Sequence, residues 1–261
     1  MTDGPLLVDG LLVDDADGVR TVTFHRPEAK NALNRAMRQQ LCELLSAAEQ
    51  DPAVRVVILT GTDPAFSAGV DFKEAAATDG PQWNAYDAQF QLNPGRALRA
   101  MTTPVIAAVN GPCVSGGLEI ALSSAFVVAS ERARFADTHA RLGVVATWGL
   151  TALLPRAVGV RVARELSITG NFVDADRAVR IGLANHVVAH ADLLPFARRL
   201  AADVVATPAV AEVMALYARG DGLSRAEALT LETEHVARRS FDPAAFGRAG
   251  TETAARGRLP S

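Results

Sequence analysis

The chain has little that would mark it as secreted, metal-holding or membrane-spanning. Its 261 residues include only two cysteines, Cys42 and Cys113, with no metal-ligand spacing. Reduced thiols in a cytoplasmic protein are therefore expected, with no metal site. No apolar run approaches the ~20 residues that cross a bilayer. The first residues show no basic segment leading into an apolar one, so neither an export signal nor a membrane partner is expected. Lysine is almost absent. Only Lys30 and Lys73 are lysine among 26 Lys and Arg residues, a bias we attribute to a GC-rich genome rather than to function. The net charge of −3 gives no electrostatic reason for a nucleic-acid partner.

What is present is an ordinary globular composition, 49% apolar, on a chain long enough for one large core with an appendage. Two stretches organise it. Val105 to Val109 is an apolar run short enough for a fully buried strand, and Asn110-Gly111-Pro112 ends it with turn residues. Ser115-Gly116-Gly117 then precedes a helix-like segment, Leu118 to Ala125. A glycine pair at a helix start lets the backbone approach a ligand and leaves free N–H groups suited to an anion or a developing oxyanion. Glu119 falls in the first turn of that helix, either as a dipole-favoured surface acid or as a catalytic base. The second stretch repeats the pattern. Val56 to Gly61 reads as a buried strand and leads to Phe66-Ser67-Ala68-Gly69-Val70-Asp71, again small residues before a helix-like segment.

Leu6 to Val13 and Val19 to Phe24 are strand-like around Asp14 to Gly18, which suggests a hairpin. From Asn34, a capping residue, Met37, Leu41, Leu44, Leu45 and Ala48 recur at helical spacing. Trp83, Tyr86 and Phe90 form an aromatic stripe. Phe126 to Ala129, Ala133 to Ala136 and Ala184 to Val188 read as strands, and Leu150 to Ala157, Val160 to Leu166 and Ala175 to Ile181 as helices. This alternation predicts an α/β core. From Leu193 onward only helices are expected, at Phe196 to Val205, Pro208 to Arg219 and Ser224 to Arg239, with too little apolar surface for a core of their own.

Six pieces taken together resemble the crotonase family, the enoyl-CoA hydratase/isomerase superfamily. They are Phe24-His-Arg-Pro-Glu-Ala-Lys-Asn-Ala-Leu33, Ala65-Phe-Ser-Ala-Gly-Val-Asp-Phe-Lys-Glu74, Pro104-Val-Ile-Ala-Ala-Val-Asn-Gly111, Ser115-Gly-Gly-Leu-Glu119, Ala133-Arg-Phe-Ala-Asp137 and Leu183-Ala-Asn-His-Val187. The resemblance implies a spiral of ββα turns over residues 1–195 carrying an acyl-CoA site. It also implies a helical region, 196–261, that makes a homotrimer or a dimer of trimers. It implies an enoyl-CoA hydratase that needs no cofactor beyond the coenzyme A of its substrate. An isomerase, a hydrolase or a catalytically weak acyl-CoA-binding oligomer are the alternatives.

Residue by residue, the resemblance makes the backbone N–H groups of Val70 and Gly116 an oxyanion hole and Glu119 one acid–base group. It implies substrate or CoA contacts at Glu28, Ala29, Lys30, Ala68, Gly69, Asp71, Gly117, Thr147 and Trp148. Lys30 suits a phosphate by charge and equally suits a solvated surface. Asp71 and Asp137 are expected to cap or support the CoA loops rather than to catalyse. The aromatic stripe packs a helix, walls the acyl pocket, or does both. Two departures from the family pattern fall in the water site. His139, in Phe135-Ala-Asp-Thr-His139, stands where a second glutamate is usual, and Thr147 stands for a glycine. An imidazole exchanges protons near neutral pH, so His139 is a candidate acid or base, against the alternative of a packed ring. At the C-terminus, Arg256-Gly257-Arg258 replaces a usual Lys-Arg pair, which leaves a phosphate contact there open.

Overall fold

The computed structural model describes residues 5–77, 92–240 and 242–256. Strands β1 (Leu6–Val8), β2 (Leu11–Ala16) and β3 (Val19–Phe24) form an antiparallel meander. The stretch Leu6 to Val13 is thus two strands rather than one. Asp9 and Gly10 both take positive φ there and reverse the chain, a turn signal overlooked inside the apolar run. Helix α1 (Arg35–Gln50) follows, and the Asn34 side chain accepts a hydrogen bond from the Met37 N–H as its N-cap.

Strands β4 (Val56–Gly61) and β5 (Val105–Val109) come next in the sheet, parallel to β3, and are buried along almost their whole length. That is the reason for their unbroken apolar sequence: a parallel sheet is covered on both faces. Alternate residues sort to the two faces. Val57, Leu59, Ala107 and Val109 join the main core with α1, whereas Val56, Ile58, Ile106 and Ala108 face Leu193, Ala197 and Ala201. Those last three lie on the helix Leu193–Val205.

Between β4 and β5 lie α2 (Phe72–Ala77) and α3 (Pro94–Arg99). The aromatic stripe at Trp83, Tyr86 and Phe90 lies outside the described residues. After β5 come β6 (Pro112–Val114), α4 (Gly116–Ser123), β7 (Phe126–Ser130) and β8 (Arg134–Ala136). Then follow α5 (Leu150–Val158), α6 (Val160–Thr169), β9 (Val173–Asp174), α7 (Ala175–Arg180) and β10 (His186–Val188). The large sheet runs β1-β2-β3-β4-β5-β7-β10, and β6, β8 and β9 make a second, three-stranded sheet. Of this small sheet only β8 was expected from the sequence; β6 and β9 are three and two residues long and leave no periodic pattern.

Helices α8 (Leu193–Val205), α9 (Val210–Gly220), α10 (Arg225–Arg238) and α11 (Pro243–Arg256) complete the described chain. Helix α11 had no counterpart in the sequence reading. The chain divides into two compact units, 1–215 and 216–261. Among the described residues no single helix is long and apolar enough to cross a membrane.

Candidate active site

The C-terminal ends of β4 and β5 deliver two loops to one place. The first, residues 62–71, is clamped by its neighbours: the Ala68 N–H donates to the Lys30 carbonyl at 3.0 Å, Leu33 N–H to Gly69 O at 2.8 Å and Asp71 N–H to Leu33 O at 3.1 Å. Asn31, fully buried, donates to the carbonyls of Thr62 and Ala65 and accepts from the Arg26 N–H. The second loop runs through β6, whose Val114 N–H donates to Ser67 O at 2.9 Å. The two loops therefore touch. A Cβ on Gly69, at φ +91°, would sit 2.9 Å from Val114 O and 3.1 Å from the Gly116 nitrogen. Only glycine permits that approach.

Ser115 takes φ 49° and ψ −110°, a costly backbone for a residue with a side chain. It is held there by its N–H to Ala136 O at 2.9 Å and by a 2.7 Å bond between its hydroxyl and that of Thr138. This kink starts α4 at Gly116, whose N–H has no intrahelical acceptor. Among the described residues, neither the Gly116 N–H nor the Val70 N–H has an acceptor in the protein. The two amides are close, since a Cβ on Gly116 would lie 3.4 Å from the Val70 nitrogen. A Cβ on Gly117 would lie 2.6 Å from Ser67 O, so the second glycine lets α4 seat on the first loop.

One turn into α4, Glu119 is buried at 2% exposure. Its Oε1 accepts from the Trp148 N–H at 2.6 Å and the Leu150 N–H at 3.2 Å. Its Oε2 lies 3.6 Å from His139 Nε2. The other ring nitrogen of His139, Nδ1, is 2.7 Å from Asp137 Oδ1, and the same oxygen accepts the His139 main-chain N–H at 3.2 Å. Burial pushes the Glu119 carboxyl above its usual range, against the partial relief given by His139 and by the Leu150 and Trp148 amides. Burial acts in the same direction on Asp137. There, hydrogen bonds from His139 and Ser167 outweigh it and hold the carboxyl below the ordinary aspartate range.

The remaining expected residues surround this centre. The Trp148 ring is buried over Gly116 and its carbonyl accepts from Arg99 Nη1 at 2.5 Å. Thr147 is exposed, and the amides that reach Glu119 belong to its neighbours Trp148 and Leu150. Glu28 and Lys30 are exposed and Ala29 half-buried, on a 3₁₀ turn capped by Lys30 at φ 52°. Asp71 bonds Arg26 at 3.0 Å and accepts from the Lys73 N–H at 3.2 Å at the start of α2. The Arg256 side chain, Gly257 and Arg258 lie outside the described residues. Sequence reading missed Leu150 as a partner of Glu119 and Asp137 as a partner of His139. The second had a signal, an aspartate two residues before the histidine, where a side-chain oxygen commonly accepts a local N–H.

Two amides without acceptors among the described residues, set beside Glu119 and His139 at the ends of parallel strands, are chemically suited to stabilise a carbonyl-derived anion and to move protons next to it. The comparisons give the family. A family model described as enoyl-CoA hydratase/isomerase matches residues 14–241. The Arabidopsis thaliana protein described as "Probable enoyl-CoA hydratase 1, peroxisomal" is 35% identical over 224 residues, which is 85% of this chain and 83% of that one. A crystal structure of enoyl-CoA hydratase from Mycobacterium tuberculosis H37Rv is 47% identical, with a TM-score of 0.73 over 86% of this chain and 96% of that one. An enoyl-CoA hydratase from Mycobacterium smegmatis aligns at TM-score 0.84 and 33% identity, over 97% of this chain and 98% of that one. This chain belongs to the enoyl-CoA hydratase/isomerase, or crotonase, family.

Proposed function

We propose that the chain hydrates 2-enoyl-CoA thioesters, adding water syn across the Cα–Cβ double bond. The observation that carries this reading is the pair of amides, Val70 and Gly116, without acceptors among the described residues, beside the Glu119–His139 pair. With the thioester oxygen between the two N–H groups, charge can move onto it as water attacks Cβ, and such donors are worth several kcal/mol. The Glu119–His139 pair shares one exchangeable proton. Its unprotonated member takes a proton from the attacking water as the O–Cβ bond forms, and the π electrons move to the thioester oxygen. The protonated member then delivers its proton to Cα as the enolate collapses. Water is thus fully accounted for, and no cofactor enters beyond the coenzyme A on the substrate. The exposed Lys30 and the turn Glu28–Ala29 would face the CoA moiety, with Ala68, Gly69, Asp71, Gly117, Thr147 and Trp148 shaping the thioester end.

The same reading extends to assembly and place. Helices α9 and α10 bury no residue, and Leu229, Val236 and Phe246 are exposed, as are Leu142, Val145, Ile168 and Phe172. Apolar surface of this kind supports a homotrimer or a dimer of trimers. Two unpaired cysteines fit a reducing compartment, the cytoplasm. The test is a turnover screen of 2-enoyl-, 3-enoyl- and hydroxyacyl-CoA thioesters by mass spectrometry, with light scattering alongside. A gain of one water on a 2-enoyl-CoA by a trimer or hexamer is expected. Double-bond migration without hydration, release of free CoA, or binding without turnover would each replace the reading.

A further inference from the structure

We propose that Asp137 is the positioning residue of the acid–base pair: it holds His139 in the tautomer protonated on Nδ1, and the two act as one unit that switches between neutral and singly negative, as a single carboxyl group does. This rests on the hydratase reading above and assigns a role that the sequence reading had withheld from Asp137.

The geometry carries it. Asp137 is buried at 3% exposure, and its Oδ1 lies 2.7 Å from His139 Nδ1 while also accepting the His139 main-chain N–H at 3.2 Å. An ionised carboxylate only accepts hydrogen bonds, so the hydrogen between them sits on Nδ1. The ring is then fixed by its backbone and by its side chain through the same oxygen. Its Nε2 faces Glu119 Oε2 at 3.6 Å, as a lone pair in the neutral ring and as an N–H in the protonated one. Bonds from His139 and Ser167 keep Asp137 ionised despite burial.

Among the described residues few charges act on the ring. Glu119 faces it from α4 and Asp137 from its own turn. Arg99, on α3, acts on Glu119, and Arg141 is turned away to Thr169 O and Asn171. An unpaired imidazole would alternate between positive and neutral. Backed by Asp137, the unit alternates between neutral and negative, so a proton can be taken from water without leaving a net cation beside Glu119. A carboxyl group makes the same switch without a partner.

The first test leaves the enzyme unmutated. In ¹⁵N-histidine-labelled protein, the His139 signals, assigned by their loss in His139→Gln, are expected to show the neutral ring protonated on Nδ1. A neutral ring protonated on Nε2 overturns the proposal, whatever the activity. In kinetics, Asp137→Asn keeps shape and removes charge. It should lower kcat about 10- to 100-fold, less than loss of a whole acid–base group. KM should hold within about twofold, and the pH–rate profile should change, because the ring has lost the anion that faces it. Unchanged kcat and an unchanged profile overturn the assignment. A swap adds a second kinetic reading. A carboxyl at position 139 needs no partner, so Asp137→Asn/His139→Glu should be more active than His139→Glu alone, where two carboxylates crowd together. The reverse order counts against the dyad. If the unmutated enzyme adds no water to a 2-enoyl-CoA, the hydratase reading fails, and the tautomer measurement still decides the role of Asp137.

Discussion

Glu119 and Asp137 are equally buried, at 2% and 3% exposure, yet their carboxyl groups are pushed in opposite directions. Burial raises both. What differs is the company each keeps. Asp137 receives bonds from a ring N–H, a hydroxyl and a main-chain N–H that stabilise its charge. Glu119 receives two amides on one oxygen, while its other oxygen stands 3.6 Å from an imidazole and feels the negative Asp137. Solvent exposure therefore does not assign the roles. The bonded carboxylate is a fixed anion, and the less satisfied one is free to exchange its proton.

The largest expected effect comes from removing the exchangeable member. Glu119→Gln retains the acceptor for the Trp148 and Leu150 amides but cannot take a proton, so kcat should fall by roughly 10²–10⁴. Acyl-CoA affinity measured by calorimetry should barely change. Turnover at the wild-type rate would remove Glu119 from the mechanism and end the comparison.

A smaller effect should follow from moving one carboxylate relative to the other. Gly117→Ala places a methyl 2.6 Å from Ser67 O, so α4 must shift and carry Glu119 with it, while Asp137 stays on its own turn. Misplacement on the order of 1 Å can cost ~10²-fold, and a kcat loss of about 10- to 100-fold is expected by steady-state kinetics in a folded variant. Wild-type kcat would show that the Glu119 position tolerates movement.

The smallest effect is the sharpest in sign. Asp137, held below its unfolded value, contributes stability that is present above about pH 4 and is lost as pH falls through its folded pKa. Glu119, held above its unfolded value, contributes stability that is present below about pH 4 and is lost as pH rises through its folded pKa. At neutral pH the two isosteric changes should therefore have opposite effects in urea unfolding. Asp137→Asn should destabilise by about 1–3 kcal/mol, whereas Glu119→Gln should raise the midpoint slightly. Equal signs would show that burial alone governs both groups.

Much of the scaffold was legible before any coordinates. Val56 to Leu59 and Val105 to Val109 are apolar at every position because they lie inside a sheet covered on both faces. The α1 stripe, the Asn34 cap and the Ser115-Gly116-Gly117 helix start follow from local rules. The misses are of another kind. The Asp9-Gly10 reversal was hidden in an apolar run, and β6 and β9 are too short to leave a periodic trace. Asp137 is expected as a support for a loop; its spacing two residues before His139 marks the local main-chain contact, but only the turn fixes the contact with the ring.

The order of residues by itself determined which strands are buried, which helices carry one apolar face and where small residues let the backbone come close. These depend on side-chain volume, backbone freedom and periodicity, all properties of neighbours along the chain. Only the tertiary structure decided that the Val70 and Gly116 amides, 46 positions apart, end side by side without acceptors among the described residues. It also decided that Glu119 meets the amides of Trp148 and Leu150 and the ring of His139. Desolvation and hydrogen bonding across the fold set the charge of a buried carboxyl group, and both exist only once distant segments have packed.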